Sequence, residues 1–372
     1  MDLEVLMAEG MDLAWRGRGE VEPNPRVGAL VLDGDAIVGR GWHRYFGGPH
    51  AEVEALEDAR KRGARTDMVV VTMEPCSSER GSDGKKTPPC TAALIEAGVR
   101  RVVVGMQDPD PRHKGAGLAE LEEAGIEVVD GVLASRCKAI NAPFLRWLAM
   151  DRPWTISKWA MTLDGKTAAT TGEARWISGK AARVVVHELR ARVDAVVVGY
   201  RTAMIDDPEL TVRHVEGPQP VRVVVDPDAD IDQNCRLLRT ARHAPLWLVV
   251  NTRADATRVA HLEHLGVTVI RVAPAEQGRR LHLLEAWREL RRRGVRRLLL
   301  EGGGGLAAQL MSWGCIDQVL CFVAPKMIGG RLAPTPLGGD GKAFMAQAWR
   351  FDEMYWKACG DDLAIGAFRR DT

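Results

Sequence analysis

The sequence shows almost no excess charge of either sign: 51 lysines and arginines stand against 50 aspartates and glutamates, a formal net charge of +1 over 372 residues. No global field therefore draws nucleic acid or an anionic membrane to it. Cysteine is sparse, seven residues without regular spacing, which excludes a disulfide framework and points to a reducing, cytoplasmic setting. No apolar run reaches the roughly 18 residues that span a bilayer, and the acidic opening Met1-Asp2-Leu3-Glu4-Val5-Leu6 lacks the apolar core of a signal peptide. Repeats and low-complexity segments are missing too. The eleven tryptophans are scattered and read mostly as core filler. The length exceeds one ordinary domain and suggests two.

Against this background one stretch stands out, Pro49-His50-Ala51-Glu52-Val53-Glu54-Ala55-Leu56, together with Glu74-Pro75-Cys76 and Thr87-Pro88-Pro89-Cys90. One imidazole and two thiolates form a common zinc set, and three protein ligands leave a fourth position for the water a catalytic zinc activates. Glu52 is then free to move protons, as in zinc-dependent base deaminases with their H-x-E and P-C signature. The compact form of that signature has two residues between its cysteines, whereas Cys76 and Cys90 are 90 − 76 = 14 positions apart. Their flanks compensate. The valine-rich Met68–Met73 run ends near Cys76, and Cys90 opens Thr91-Ala92-Ala93-Leu94-Ile95, a helix start where a thiol ionises more readily. His50 and Glu52, two apart, are expected in a first helical turn, since a mid-helix position would turn them to different sides.

The rest alternates between helix and strand. A helix over residues 2–16 precedes the turn Glu22-Pro23-Asn24-Pro25-Arg26-Val27-Gly28 and a hairpin centred on Asp33-Gly34. Strand and helix continue to a helical stretch from Ala134 to Met150, and Asp151-Arg152-Pro153 marks the boundary between a first domain, 1–150, and a second, 151–372. The second resumes the alternation, with buried strands such as Ala195–Gly199 and Arg296–Glu301. The expected fold class is α/β in both halves, helices packed on a central sheet. Gly302-Gly303-Gly304-Gly305 lies between strand and helix, where backbone amides can approach a phosphate, although GxGxxG is absent. The arginines of 288–297 read as a solvated helix face, with no interleaved aromatic platform for nucleic acid.

These motifs, in this order, resemble the RibD family of bifunctional riboflavin-biosynthesis deaminase–reductases over nearly the whole length. The first half carries Pro23-Asn24-Pro25-Arg26-Val27-Gly28, Gly41-Trp42-His43, His50-Ala51-Glu52-Val53 and the two cysteine motifs; the second carries Ser157-Lys158-Trp159-Ala160, Leu163–Thr167, Thr170–Glu173, Trp176–Gly179, Asp206–Arg213 and Glu301–Gly304. The resemblance implies a cytidine-deaminase-like α/β/α domain followed by a dihydrofolate-reductase-like α/β domain. It implies zinc on His50, Cys76 and Cys90 with Glu52 as catalytic acid/base, and Asn24 and His43 as deaminase substrate contacts. It places NADPH against Ala160, Trp176, Thr202, Asp206, Gly302, Gly303 and Gly304, and the reductase substrate against Lys158, Ala174, Arg190, Leu210, Arg213 and Glu301. Arg190 and Arg213 suit a substrate phosphate, since guanidinium forks bind phosphate oxygens in bidentate fashion. The implied substrate is a small phosphoribosyl-pyrimidine, deaminated and then reduced, with no nucleic-acid or membrane partner; a homo-oligomer, dimer or tetramer, is expected. Two departures are visible. The polar stretch Ser77–Lys86 is enlarged, and Ala174 stands where the family commonly has a serine. A relative that kept only the deaminase would use its second half for binding or dimerisation.

Overall fold

The computed structural model describes residues 2–77, 89–275 and 281–370, so the enlarged stretch lies, apart from Ser77, outside the described residues. The chain divides into two compact units, Met1–Met150 and Asp151–Thr372. The first runs α1 (Leu3–Trp15), β1 (Gly28–Asp33), β2 (Ala36–Trp42), α2 (Ala51–Lys61), β3 (Met68–Val71), α3 (Cys90–Glu96), β4 (Arg101–Val104), α4 (Ala116–Glu123), β5 (Glu127–Val129), α5 (Ala134–Ile140) and α6 (Ala142–Leu148). Its sheet has the order β2-β1-β3-β4-β5. The β1/β2 hairpin is antiparallel, β1 runs antiparallel to β3, and β3, β4 and β5 are parallel.

Helices cover both faces of this sheet, so its central strands read as unbroken apolar runs. Leu30, Leu32, Val70 and Val103 pack towards α1 and α5, while Ala29, Val31, Val69, Val71 and Val102 pack towards α2 and α3. Each such leucine or valine removed fully from water contributes about 1.5–3 kcal/mol. α2 lies directly on β2 because Gly41 permits it: a Cβ there would stand 2.3 Å from the Ala51 carbonyl oxygen. That close approach fixes where α2 begins. Glu52 and Glu54 in its first turn and Arg60 and Lys61 in its last complement the helix dipole.

The single helix expected from Ala134 to Met150 is two short ones. Pro143, in the first turn of α6, has no N–H for the carbonyl of Ala139 and its ring would clash with it. The chain breaks at Asn141, whose buried side chain bonds both backbone groups of Arg26.

The second unit comprises β6 (Trp154–Thr162), α7 (Lys180–Ala191), β7 (Ala195–Gly199), α8 (Tyr200–Asp206), β8 (Val221–Val225), α9 (Arg236–Arg239), β9 (Leu246–Asn251), α10 (Ala256–His264), β10 (Thr268–Val272), α11 (Leu283–Arg292), β11 (Arg297–Glu301), α12 (Gly304–Ser312), β12 (Gln318–Ala324), β13 (Phe351–Cys359) and β14 (Asp362–Arg369). Nine strands form one sheet, β10-β9-β8-β7-β11-β6-β12-β14-β13. It is parallel from β10 through β12, and β14 and β13 add an antiparallel edge. Ligands of open α/β sheets sit beyond the carboxyl ends of such parallel strands. Here Gly199 ends β7 and Glu301 ends its neighbour β11.

The tryptophans depart from the core-filler expectation. Trp154 and Trp287 are fully buried, whereas Trp176, Trp313 and Trp356 are exposed. An indole has an apolar body and a polar edge and rests as well against a cation as in a core; Arg183 lies 4.4 Å from the ring centroid of Trp176. Among the described residues, no helix is long and apolar enough to cross a membrane.

Candidate active sites

In the first unit three ligand atoms converge where two helices begin. His50 is the N-cap of α2, Cys90 is the first residue of α3, and Cys76 lies in the loop beyond β3. Nδ1 of His50 stands 3.2 Å from Sγ of Cys90 and 3.6 Å from Sγ of Cys76. All three atoms lie within 4.8 Å of one another, and among the described residues no other His, Cys, Asp or Glu joins the group. Zinc–nitrogen and zinc–sulfur bonds at a tetrahedral angle separate their ligand atoms by about 3.6 Å. The donor set therefore suits zinc and leaves one position open. The Cys90 N–H lies 3.4 Å from Sγ of Cys76, a contact that favours the thiolate.

Glu52 is buried beside these ligands, at 3% exposure. Burial pushes its carboxyl above the usual range; the His50 charge opposes the rise and Cys76 reinforces it. Asn24 and His43 complete the row. The Pro49 carbonyl, 2.8 Å from Nδ1 of His43, can only accept, so Nδ1 carries the proton and Nε2 accepts from the Asn24 amide at 3.4 Å. The His43 and His50 rings meet edge to face at 5.5 Å. The loop bearing Asn24 is held by the buried Glu22–Arg26 ion pair, 2.7 Å, and by Asn141.

Glu74, not singled out from the sequence, accepts from the backbone N–H groups of Asp108, Gly115 and Gly117 at 2.9, 3.0 and 2.9 Å. It ties the loop beyond β4 to the chain entering Cys76. Its place two residues before a ligand was the signal available.

In the second unit the carboxylate of Glu301 gathers two cations. Nε and Nη2 of Arg190 lie 2.5 and 3.0 Å from its oxygens, and Nζ of Lys158 lies 3.2 Å away. The parallel pairing of Lys158 with Glu301 across β6 and β11 sets this register. Burial would raise the Glu301 pKa, but the charges of Arg190 and Lys158 override it and hold the carboxyl far below the usual carboxylate range. Beside it Gly302 and Gly303 have φ of +114° and +64°, and a Cβ on Gly302 would stand 2.6 Å from Cγ2 of Thr202. A Cβ on Gly304 would stand 2.7 Å from the Thr335 carbonyl oxygen. No side chain caps α12, and the glycines at its start leave no Cβ between its first backbone N–H groups and a ligand.

The comparisons with known proteins follow these two centres. Residues 1–106 match the cytidine and deoxycytidylate deaminase zinc-binding region, and residues 153–365 match the RibD C-terminal domain. The riboflavin biosynthesis protein RibD of Actinobacillus pleuropneumoniae is 35% identical over 359 residues, 96% of this chain and 93% of its own. The chain belongs to the RibD family. Two solved structures are similar over their full lengths. Acinetobacter baumannii RibD shares 31% identity with a TM-score of 0.70, covering 99% of each chain. A Thermotoga maritima protein described as a diaminohydroxyphosphoribosylaminopyrimidine deaminase/5-amino-6-(5-phosphoribosylamino)uracil reductase shares 31% identity with a TM-score of 0.66, again over 99% of each. Like the RibD family, this chain is a bifunctional enzyme of riboflavin biosynthesis, a zinc-dependent deaminase and an NADPH-dependent reductase.

The residues expected at the reductase centre do not all fall in one place. Lys158 and Arg190 both contact Glu301. Thr202 meets the glycines, Ala160 lies two residues after Lys158 on β6, and Asp206 is the exposed last residue of α8. Ala174 and Trp176 belong to the exposed 171–176 stretch, where Nζ of Lys326 donates to the carbonyls of Trp176 and Ile177 at 2.5 and 3.0 Å. The two arginines differ. Arg190 is taken up by Glu301 and the Thr211 carbonyl, whereas Arg213 keeps a partly exposed guanidinium, paired with Glu209 at 2.8 Å.

Proposed function

We propose that this chain removes the 2-amino group of 2,5-diamino-6-ribosylamino-4(3H)-pyrimidinone 5′-phosphate as ammonia and then reduces the ribosyl chain of the product to ribityl. The observation that carries the reading is the open three-ligand set with the buried Glu52 beside it. Zinc, when bound by His50, Cys76 and Cys90, supplies a Lewis acid that lowers the pKa of water. Glu52 takes the proton from the attacking water and delivers it to the departing nitrogen, so that ammonia leaves rather than amide ion. A carboxyl pushed up by burial suits both halves of that task. Asn24, oriented by His43, is placed to hydrogen-bond the pyrimidine.

In the second half NADPH, when bound, supplies the hydride. Gly302, Gly303 and Gly304, with Thr202 and the start of α12, bind cofactor phosphate; Ala160, Trp176 and Asp206 line the remainder of that site. Glu301 holds Lys158 and Arg190 for the substrate, Leu210 and Ala174 flank it, and Arg213 takes its phosphate. The same reading makes the protein a cytoplasmic homo-oligomer, dimer or tetramer, that acts on this small molecule and not on nucleic acid. The purified protein, given the diamino-pyrimidine phosphate and NADPH, should release ammonia, oxidise NADPH and yield a ribityl product by mass spectrometry. Ammonia release without ribityl product would remove the second step from the proposal.

A further inference from the structure

Thr211–Arg213 belongs to no helix or strand, yet side chains take up its backbone polar groups in turn. The Thr211 carbonyl accepts from Nη1 of Arg190 at 3.0 Å. The Val212 N–H donates to Oε1 of Gln219 at 2.8 Å, and the Val212 carbonyl accepts from Nε2 of the same amide at 3.0 Å. The Arg213 N–H donates to Nδ1 of His187 at 3.2 Å. Gln219 thus offers Val212 the acceptor and donor that a neighbouring strand would. His187 and Arg190, three apart on α7, share one helix face and hold the two ends of the segment. The preceding Leu210 is buried with φ +57°, a conformation a leucine keeps only where its surroundings impose it.

We infer that His187 and Gln219 are positioning residues that preset Leu210–Arg213 for the phosphate-bearing end of the reductase substrate. The inference rests on Arg213 being the phosphate contact. Nδ1 of His187 acts here as an acceptor, so the proton of the neutral ring is on Nε2. A second proton would turn Nδ1 towards the Arg213 N–H as a donor and break the contact. The groups around the ring are Arg190 on α7, Arg213 on the held segment, the ring of the next residue, His214, 4.5 Å away edge to face, and Glu301 on β11. Burial, then Arg190, Arg213 and His214 keep the ring neutral against the opposing pull of Glu301, with its pKa pushed down to about 4.

The test compares His187→Ala, His187→Asn, whose Oδ1 can replace Nδ1 as acceptor, and Gln219→Ala, in reductase kinetics on the deaminated intermediate, with the circular-dichroism thermal unfolding of the same samples as the folding control. His187→Ala and Gln219→Ala should raise the KM for the intermediate roughly tenfold, the scale of a lost buried hydrogen bond, and leave kcat and the NADPH KM near wild type. His187→Asn should restore the KM. Below pH 5 the wild-type KM should rise more than that of His187→Asn, because the substrate phosphate titrates alike in both. An unchanged KM in the alanine variants, or equal losses in kcat and NADPH KM that asparagine does not rescue, would overturn the inference. If the wild-type protein reduces nothing, the proposed reaction falls, and hydrogen exchange decides the positioning role. Faster exchange at the Val212 and Arg213 amides in Gln219→Ala and His187→Ala respectively would support it, and unchanged exchange would refute it.

Discussion

Glu52 occupies the second position of α2, two residues past a ligand that caps the same helix. This geometry explains why a spacing of two serves both: at a helix end the cap and the first turn face the same space, which positions two apart in mid-helix do not. With the proposed role of carrying protons and not holding metal, Glu52→Gln should retain zinc by elemental analysis and lose deamination by ~10²–10⁴-fold, the usual contribution of a positioned acid/base. Near-normal turnover in that variant would rule the role out. At the same scale the zinc residues were legible because their chemistry is local: a histidine, two cysteines and a carboxylate sit at ends of recognisable motifs. Glu74, His187 and Gln219 were not, because each acts on backbone N–H groups 34 to 43, 26 and 7 residues away along the chain. Nothing in a residue's type announces such a partner.

Among the elements, the turn from β11 into α12 carries the cofactor argument. Gly302→Ala would place a methyl against Thr202 at a φ of +114°, a strain of about 1–3 kcal/mol. Steady-state kinetics should show a raised NADPH KM and unaltered ammonia release. Glu301, at the end of the same strand, ties β11 to β6 and α7 through Lys158 and Arg190. Its carboxyl is held far below its ordinary value, so the stability it contributes is complete above the unfolded pKa, about 4.3, and drains away as pH falls below that. His187 works in the same direction at higher pH. Its folded pKa is lowered from 6.5 to about 4, so the unfolded chain binds more protons over that window and stability declines as pH drops through it. Glu301→Gln should flatten the acid limb of a urea-denaturation profile and lower stability at neutral pH by about 3–5 kcal/mol, the cost of leaving two buried cations without their counter-charge. A profile unchanged in shape would contradict the assignment. The alternation of strand and helix was readable because buried strands show as apolar runs such as Val196-Val197-Val198 and Leu298-Leu299-Leu300. The break at Asn141 was also written in the sequence, as Asn141-Ala142-Pro143, but the apolar spacing on either side concealed it.

For the whole molecule, the proposed chemistry separates along the chain. Every ligand and proton carrier of the deaminase lies within Met1–Met150, and every residue assigned to the reductase lies within Asp151–Thr372. Each centre is assembled by its own sheet, the zinc centre beside a five-stranded one and the Glu301 centre at the strand ends of a nine-stranded one. With Ala174 at the reductase substrate, as proposed, Ala174→Ser should add a hydrogen bond worth ~0.5–1.5 kcal/mol, seen as a modest fall in reductase KM with deamination unaltered. The most direct test of the account is to strip the zinc from the full-length protein, or to remove a ligand by Cys90→Ala, and follow ammonia release and NADPH oxidation separately, the second with the deaminated intermediate supplied. The account predicts that ammonia release stops while NADPH oxidation proceeds at the untreated rate. Ammonia release that survives loss of zinc, or NADPH oxidation that stops with it, would contradict it.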